Sequence, residues 1–168
     1  MSVLVIYKSA YGSTEQYAKW IAEEVNAEVV SVEYFNFADI EKYDTIVIGT
    51  YLRAGKMVMA KFIKDNWDKL SQKKVVLYSS SKTPVDSADA QKIYNNNIPE
   101  NIRKHISYFP LEGKFVFDKL SSGDQTTMKI GQFMTRLFMG QKMAEEMIMD
   151  YDGMKIENIK PITAALAQ

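Results

Sequence analysis

Ser9, Gly12, Ser13 and Thr14 follow directly on an unbroken apolar run, Val3-Leu-Val-Ile-Tyr7. A run of this kind, β-branched, aliphatic and aromatic throughout, is the pattern of a strand buried on both faces. A helical pattern begins within two residues of Gly12. A buried strand that feeds such a turn and then a helix N-terminus makes an anion site. The free N–H groups of the first helical turn and the positive end of the helix dipole converge there. The expected chemistry is retention of the phosphate of a bound cofactor. No lysine or carboxylate stands between Ser9 and Thr14, which suits passive holding of a phosphate monoester by backbone N–H groups and hydroxyls.

The elements that must position this turn can be read in chain order. Tyr17, Ala18, Trp20, Ile21 and Val25 share one face and predict a helix from about Ser13 to Asn26. Glu28 to Tyr34 alternates, as a strand near a sheet edge does, and Tyr43 to Gly49 is a second buried strand. A loop, Thr50 to Met57, leads to one amphipathic helix carrying Val58, Met59, Phe62, Ile63, Trp67 and Leu70. Lys74 to Ser79 is a fourth strand, running into Ser79-Ser80-Ser81. Ala88 to Tyr94 reads as helix, Pro99 as the start of another, with Ile102 and Ile106 continuing its stripe, and Tyr108 to Phe117 contains a fifth strand. Ile156, Ile159, Ile162 and Leu166 mark the last helix.

Strands alternating with helices predict an α/β fold, a five-stranded doubly wound parallel sheet of order 2-1-3-4-5 with helices on both faces. Its switch point lies between the first and third strands, so Ser9–Thr14 and Thr50–Met57 should meet beyond their carboxyl ends. One domain, 1–168, is expected, with an insertion at about 118–153 before the last helix. Met128, Met134, Met139, Met143, Met147 and Met149, six of the ten methionines, fall in it. Ile130, Phe133, Met134, Leu137 and Phe138 form one helical stripe there, expected to pack on the protein itself before serving as a docking surface. A connection this long is usually functional.

Twenty-one basic residues balance twenty-one acidic ones, so nothing in the net charge calls for nucleic acid. The absence of cysteine excludes disulfides, thiolate metal sites and a cysteine nucleophile. No apolar run approaches the roughly 18 residues of a membrane span. The first strand pattern is too short for a signal segment, so a cytoplasmic location is expected. Glu145-Glu146 and Asp150/Asp152 read as a solvated acidic face, not a metal site, and the lone His105 as exposed and without a role.

No Gly-x-x-x-x-Gly-Lys-Ser/Thr and no Gly-x-Gly-x-x-Gly follows the first strand, which sets aside triphosphate and dinucleotide loops. A phosphoacceptor receiver would need an acidic cluster where Lys8 and Gly49-Thr50 stand. Ser9-Ala-Tyr-Gly12-Ser-Thr14 resembles the flavodoxin phosphate loop, Ser/Thr-x-Thr-Gly-x-Thr, with Tyr11 replacing a threonine. Val47-Ile-Gly-Thr-Tyr-Leu-Arg53-Ala-Gly55-Lys resembles the Ile-Gly-x-x-Ile-Arg-x-Gly segment of the flavodoxin-like, quinone-dependent protoporphyrinogen IX dehydrogenases, which also carry a long insertion before the last helix.

The resemblance implies FMN as cofactor and an FMN-binding oxidoreductase that oxidises protoporphyrinogen IX in haem biosynthesis with a quinone acceptor. The alternatives are a flavodoxin-type shuttle that passes electrons to protein partners, and a non-redox module. Under it, Ser9, Tyr11, Gly12, Ser13 and Thr14 hold the phosphate. Thr50, Tyr51, Leu52, Arg53 and Gly55 flank the ring, Arg53 near its pyrimidine end as a tuning cation, and Ser80, Ser81 and Lys82 close the other side. No protein catalytic base is assigned. Arg53, Lys56, Lys82 and Lys114 would form a basic rim that favours flavin reduction and attracts an anionic substrate. The insertion is expected to meet a bulky substrate, a quinone, a membrane face or a second subunit. Against these readings stand plainer ones: a capped strand-to-helix turn for Ser9–Thr14, loop packing for Tyr51 and Leu52, and a carboxylate clamp for Arg53.

Overall fold

The computed structural model describes residues 2–167, so the ends of the expected 1–168 domain lie just outside the described residues. Its elements are β1 (Val3–Tyr7), α1 (Ser13–Val25), β2 (Glu28–Ser31), β3 (Thr45–Arg53), β4 (Lys56–Met57), α2 (Ala60–Asp65), α3 (Trp67–Leu70) and β5 (Lys74–Ser81). They continue with α4 (Ala88–Asn97), α5 (Glu100–Arg103), β6 (Ile106–Glu112), β7 (Lys114–Phe115), α6 (Ser122–Met139), α7 (Gln141–Ile148), β8 (Tyr151–Asp152) and α8 (Lys160–Leu166). The parallel strands lie in the order β2-β1-β3-β5-β6. The five long strands thus follow the expected doubly wound path. The numbering shifts because two-residue β4 folds back antiparallel on the end of β3.

Alternation along each strand explains why their apolar runs are continuous. Val5, Val47 and Val76 stand in register and pack with Tyr17, Ala18 and Ile21 of α1 and with Ile159, Ile162 and Leu166 at the C-terminal helix. The intervening residues, Ile6, Ile48 and Leu77 among them, face the other side and meet Met59, Ile63, Leu70, Tyr94 and Ile98. Each such side chain, fully withdrawn from water, contributes about 1.5–3 kcal/mol.

Four local expectations change. The single helix expected over 58–70 is two, α2 and α3, parted at Asn66, whose Nδ2 donates to the Phe62 carbonyl at 2.8 Å. Edge strand β2 stops at Ser31, three residues short of Tyr34. Ile156 is exposed instead of joining the last helix's buried face. The expected loop Thr50–Met57 is a β-hairpin: Arg53 pairs with Lys56 and Leu52 with Met57 around Ala54 and Gly55. Both turn residues have positive φ, 48° and 75°, as a two-residue turn matched to strand twist requires.

Gly55 adopts that conformation freely, but Ala54 carries a Cβ that opposes it. Ala54 is solvent-exposed, so Ala54→Asn, which tolerates the left-handed region, should stabilise the fold by about 0.5–1 kcal/mol. A thermal melt should show a rise of about 1–4 °C.

Candidate cofactor site

The turn after β1 is built as an uncapped helix start. Gly12 takes φ 91° and no side chain caps α1, so the N–H groups of Ser13, Thr14 and Glu15 have no acceptor within the helix. Ser9 Oγ accepts from the Gly12 N–H at 3.1 Å and keeps its own proton free to donate. Ser13 Oγ accepts from the Lys114 N–H at 3.0 Å, and the Thr14 and Ser80 hydroxyls meet at 2.7 Å. Beneath the turn, fully buried Tyr78 donates its hydroxyl to the Thr14 carbonyl at 2.7 Å. Burial holds that phenol's pKa well above its ordinary value.

Across the switch point, the β3–β4 hairpin forms the second wall. Tyr51 and Leu52 are half-buried and face the same cavity as Ser9 and Tyr11. Thr50 does not: its hydroxyl is fully buried and accepts from the Met59 N–H at 3.2 Å, so it fixes the start of α2. The hairpin tip is held by buried Asn97, which accepts from the Met57 N–H at 3.0 Å and donates to the Gly55 carbonyl at 2.9 Å. Asn97 was invisible to sequence reasoning, since an asparagine near a helix C-terminus usually marks only the end of a helix.

Three of the four cations expected on the rim are engaged by the insertion. Arg53 donates to Asp124 Oδ1 at 2.5 Å, and Tyr11 donates to Asp124 Oδ2 at 2.5 Å. The Tyr11 hydroxyl and, less strongly, the guanidinium hold the Asp124 carboxyl below its ordinary pKa. Lys82 Nζ donates to the carbonyls of Glu146 and Met149, at 2.5 and 2.7 Å, at the end of α7. Desolvation pushes the ammonium's pKa down, against the acids Glu146 and Asp150. Lys114 Nζ donates to Asp152 at 2.6 Å and lowers that carboxyl's pKa. The plainer reading of Arg53, a carboxylate clamp, describes its contact here. The acidic face is likewise in use, because Asp150 accepts from the Phe117 N–H at 2.9 Å. The one sequence signal for Asp124 was its place three residues after Ser121, whose hydroxyl caps α6 by accepting from the Asp124 N–H at 3.2 Å.

Between these walls lies a cavity of about 1010 Å³. It brings together Ser9, Tyr11, Ser13, Thr14, Tyr51, Leu52, Arg53, Gly55, Ser80, Ser81 and Lys82, and leaves out Gly12 and Thr50. The insertion forms its far wall with Met128, Gly131, Thr135, Met139, Met143 and Met147. The stripe expected to pack on the protein does not: Ile130, Phe133, Met134, Leu137 and Phe138 all lie on the outside of α6, exposed.

A family model described as a flavodoxin domain matches residues 4–137. The chain belongs to the flavodoxin family. Among curated relatives, an uncharacterized protein of Methanocaldococcus jannaschii is 35% identical over 89 residues, which cover 50% of this chain; the chain spans 57% of that relative's length. Among solved structures, this flavodoxin-family chain is similar to the Trp repressor binding protein of Bacillus subtilis. The match is 16% identical, covers 82% of this chain and 97% of that one, and has a TM-score of 0.51. Oxidised flavodoxin 2 of Bacillus cereus matches at 17% identity over 88% and 97%, with a TM-score of 0.50. These two speak to the fold.

The cofactor of the family is FMN, and the residues present fit it. An uncapped helix start with three free N–H groups and neutral hydroxyls is a phosphate monoester's complement, and the flanking cavity is broad and largely apolar beyond it. Among the described residues, no helix is long and apolar enough to cross a membrane.

Proposed function

We propose that this flavodoxin-family protein is an FMN-dependent oxidoreductase acting on a bulky, largely apolar small molecule. The substrate pair we assign is protoporphyrinogen IX with a quinone acceptor, in the cytoplasm. The observation that supports this reading is the cavity. At about 1010 Å³, a volume that includes the space FMN would occupy, it lies just above the roughly 300–1,000 Å³ usual for a single ligand. Its far wall is methionine-rich, adaptable to an irregular apolar guest beside the flavin.

FMN, when bound, supplies the hydride and electron transfer. The chain's own residues bind and enclose. The N–H groups of Ser13, Thr14 and Glu15, with the Ser9 hydroxyl, orient the phosphate. Tyr51 and Leu52 wall the hairpin side. The contacts of Asp124, Lys82 and Lys114 hold the insertion over the opening and exclude water.

A second reading, an electron shuttle to protein partners, draws on the engaged rim. Of the four cations, Arg53 and Lys114 are paired with carboxylates and Lys82 is bound to two backbone carbonyls, so less free positive charge remains to favour flavin reduction. Anaerobic assay of the FMN-loaded protein with protoporphyrinogen IX and a quinone separates the two. Porphyrin formation with stoichiometric quinone reduction is expected. No turnover, together with a very low midpoint potential for the second electron, would leave the shuttle.

A further inference from the structure

α6 is a helix with two apolar sides and an asymmetric charge. Its inner side carries Met128, Gly131, Thr135 and Met139 to the cavity. Its outer side carries Ile130, Phe133, Met134, Leu137 and Phe138 at helical spacing, with Phe133 and Leu137 each 61% and Phe138 78% exposed. A contiguous apolar stripe of this kind is rare on a monomer's surface and marks an interaction site.

The charges say what kind. The one acid of α6, Asp124, is turned inward onto Arg53 and Tyr11. The two cations of the helix, Lys129 and Arg136, have no carboxylate within ion-pair distance among the described residues. A second copy of the helix would bring the same two cations to the interface with no acid on it to answer them. An anionic surface answers both. We infer that the outer face of α6 docks in the plane of a membrane bearing anionic lipid, its apolar stripe in the headgroup–acyl boundary and Lys129 and Arg136 at the phosphate level. The helix lies on the bilayer and does not cross it, since no helix among the described residues is long and apolar enough to span.

Sedimentation with vesicles tests this on the whole protein. The probes are phosphatidylcholine vesicles, with and without phosphatidylglycerol. The wild type should pellet with the anionic vesicles and bind the neutral ones weakly. Phe133→Ser/Leu137→Ser/Phe138→Ser should weaken anionic binding at least about tenfold. Lys129→Glu/Arg136→Glu should weaken it by about fivefold or more per residue, an effect that added salt imitates. None of these residues lines the cavity, so FMN binding, read by flavin fluorescence, should stay unchanged in both variants and report that they fold. A wild type that stays in the supernatant with anionic vesicles overturns the inference, as does undiminished binding in the charge-reversed variant. A dimer at sedimentation equilibrium that the serine variant dissolves, without vesicle binding by the wild type, assigns the face to a second copy instead.

Discussion

Gly49→Ala should lower the melting temperature by about 5–10 °C, corresponding to roughly 2–3 kcal/mol of overpacking and a displaced hydrogen bond. Gly49 in β3 sits in register with Tyr78 of β5, and a Cβ there would fall on the Tyr78 hydroxyl and ring. The ring cannot swing clear, because it is fully buried and its hydroxyl is tied to the Thr14 carbonyl. The displaced tyrosine would release the phosphate turn from beneath. FMN affinity should therefore fall as well, by roughly tenfold, the equivalent of one misplaced charge-assisted hydrogen bond. A fluorescence titration measures the affinity and calorimetry the melt. Tyr78→Phe in the same chain removes the nearest clashing atom and the hydrogen bond that pins the ring, so the remaining ring carbons can shift and part of the stability lost to Gly49→Ala should be recovered. Strictly additive losses would show that the two residues do not act through one contact.

Asp124→Ala should loosen the insertion without unfolding the sheet. One carboxylate receives both the Tyr11 hydroxyl and the Arg53 guanidinium. Hydrogen bonds to a charged group contribute about 1.5–3 kcal/mol each, but Arg53 is largely exposed, so about 2 kcal/mol for the pair is the sounder figure. That corresponds to a roughly thirtyfold larger open fraction, readable as faster limited proteolysis within 118–150 and faster FMN release. The pH dependence has a fixed sign. The folded-state pKa of Asp124 lies below its ordinary value of 3.8. Its contribution is therefore complete above about pH 4 and is lost as pH falls through the lower folded value. Wild-type proteolysis should accelerate below that pH, and the Asp124→Ala rate should accelerate less, keeping only the dependence that Asp152, also held below its ordinary value by Lys114, contributes. Equal rates for both proteins at neutral pH would show that Asp124 does not hold the insertion.

The sheet was legible because Val5, Val47 and Val76 belong to strands buried on both faces, where unbroken apolar runs are the signature. The phosphate turn was legible because it is local: Ser9, Gly12 and the free helix start lie within a few residues of one another. The β3–β4 hairpin escaped because Ala54-Gly55 lacks the Asn-Gly or Asp-Gly signal of such turns and one of its residues is forced into the left-handed region. Arg53 was placed on the right rim, but its partner lies 71 residues away, a distance that no local pattern spans. The outward stripe of α6 shows the limit of periodicity, which says that one side of a helix is apolar without saying what covers it.

The insertion leaves and re-enters the domain through one short ladder, with Lys114 opposite Asp152 and Phe115 opposite Tyr151. Its two ends are therefore neighbours before any of α6 or α7 is added. A chain cut out between 116 and 150 could be rejoined by a tight two-residue turn with no rearrangement of the strands, and shortening that loop changes closure entropy only slowly. The segment has the form of a cassette. An ancestral domain could gain or lose the methionine wall and the outward stripe together, in one genetic event, while keeping the turn that grips the phosphate.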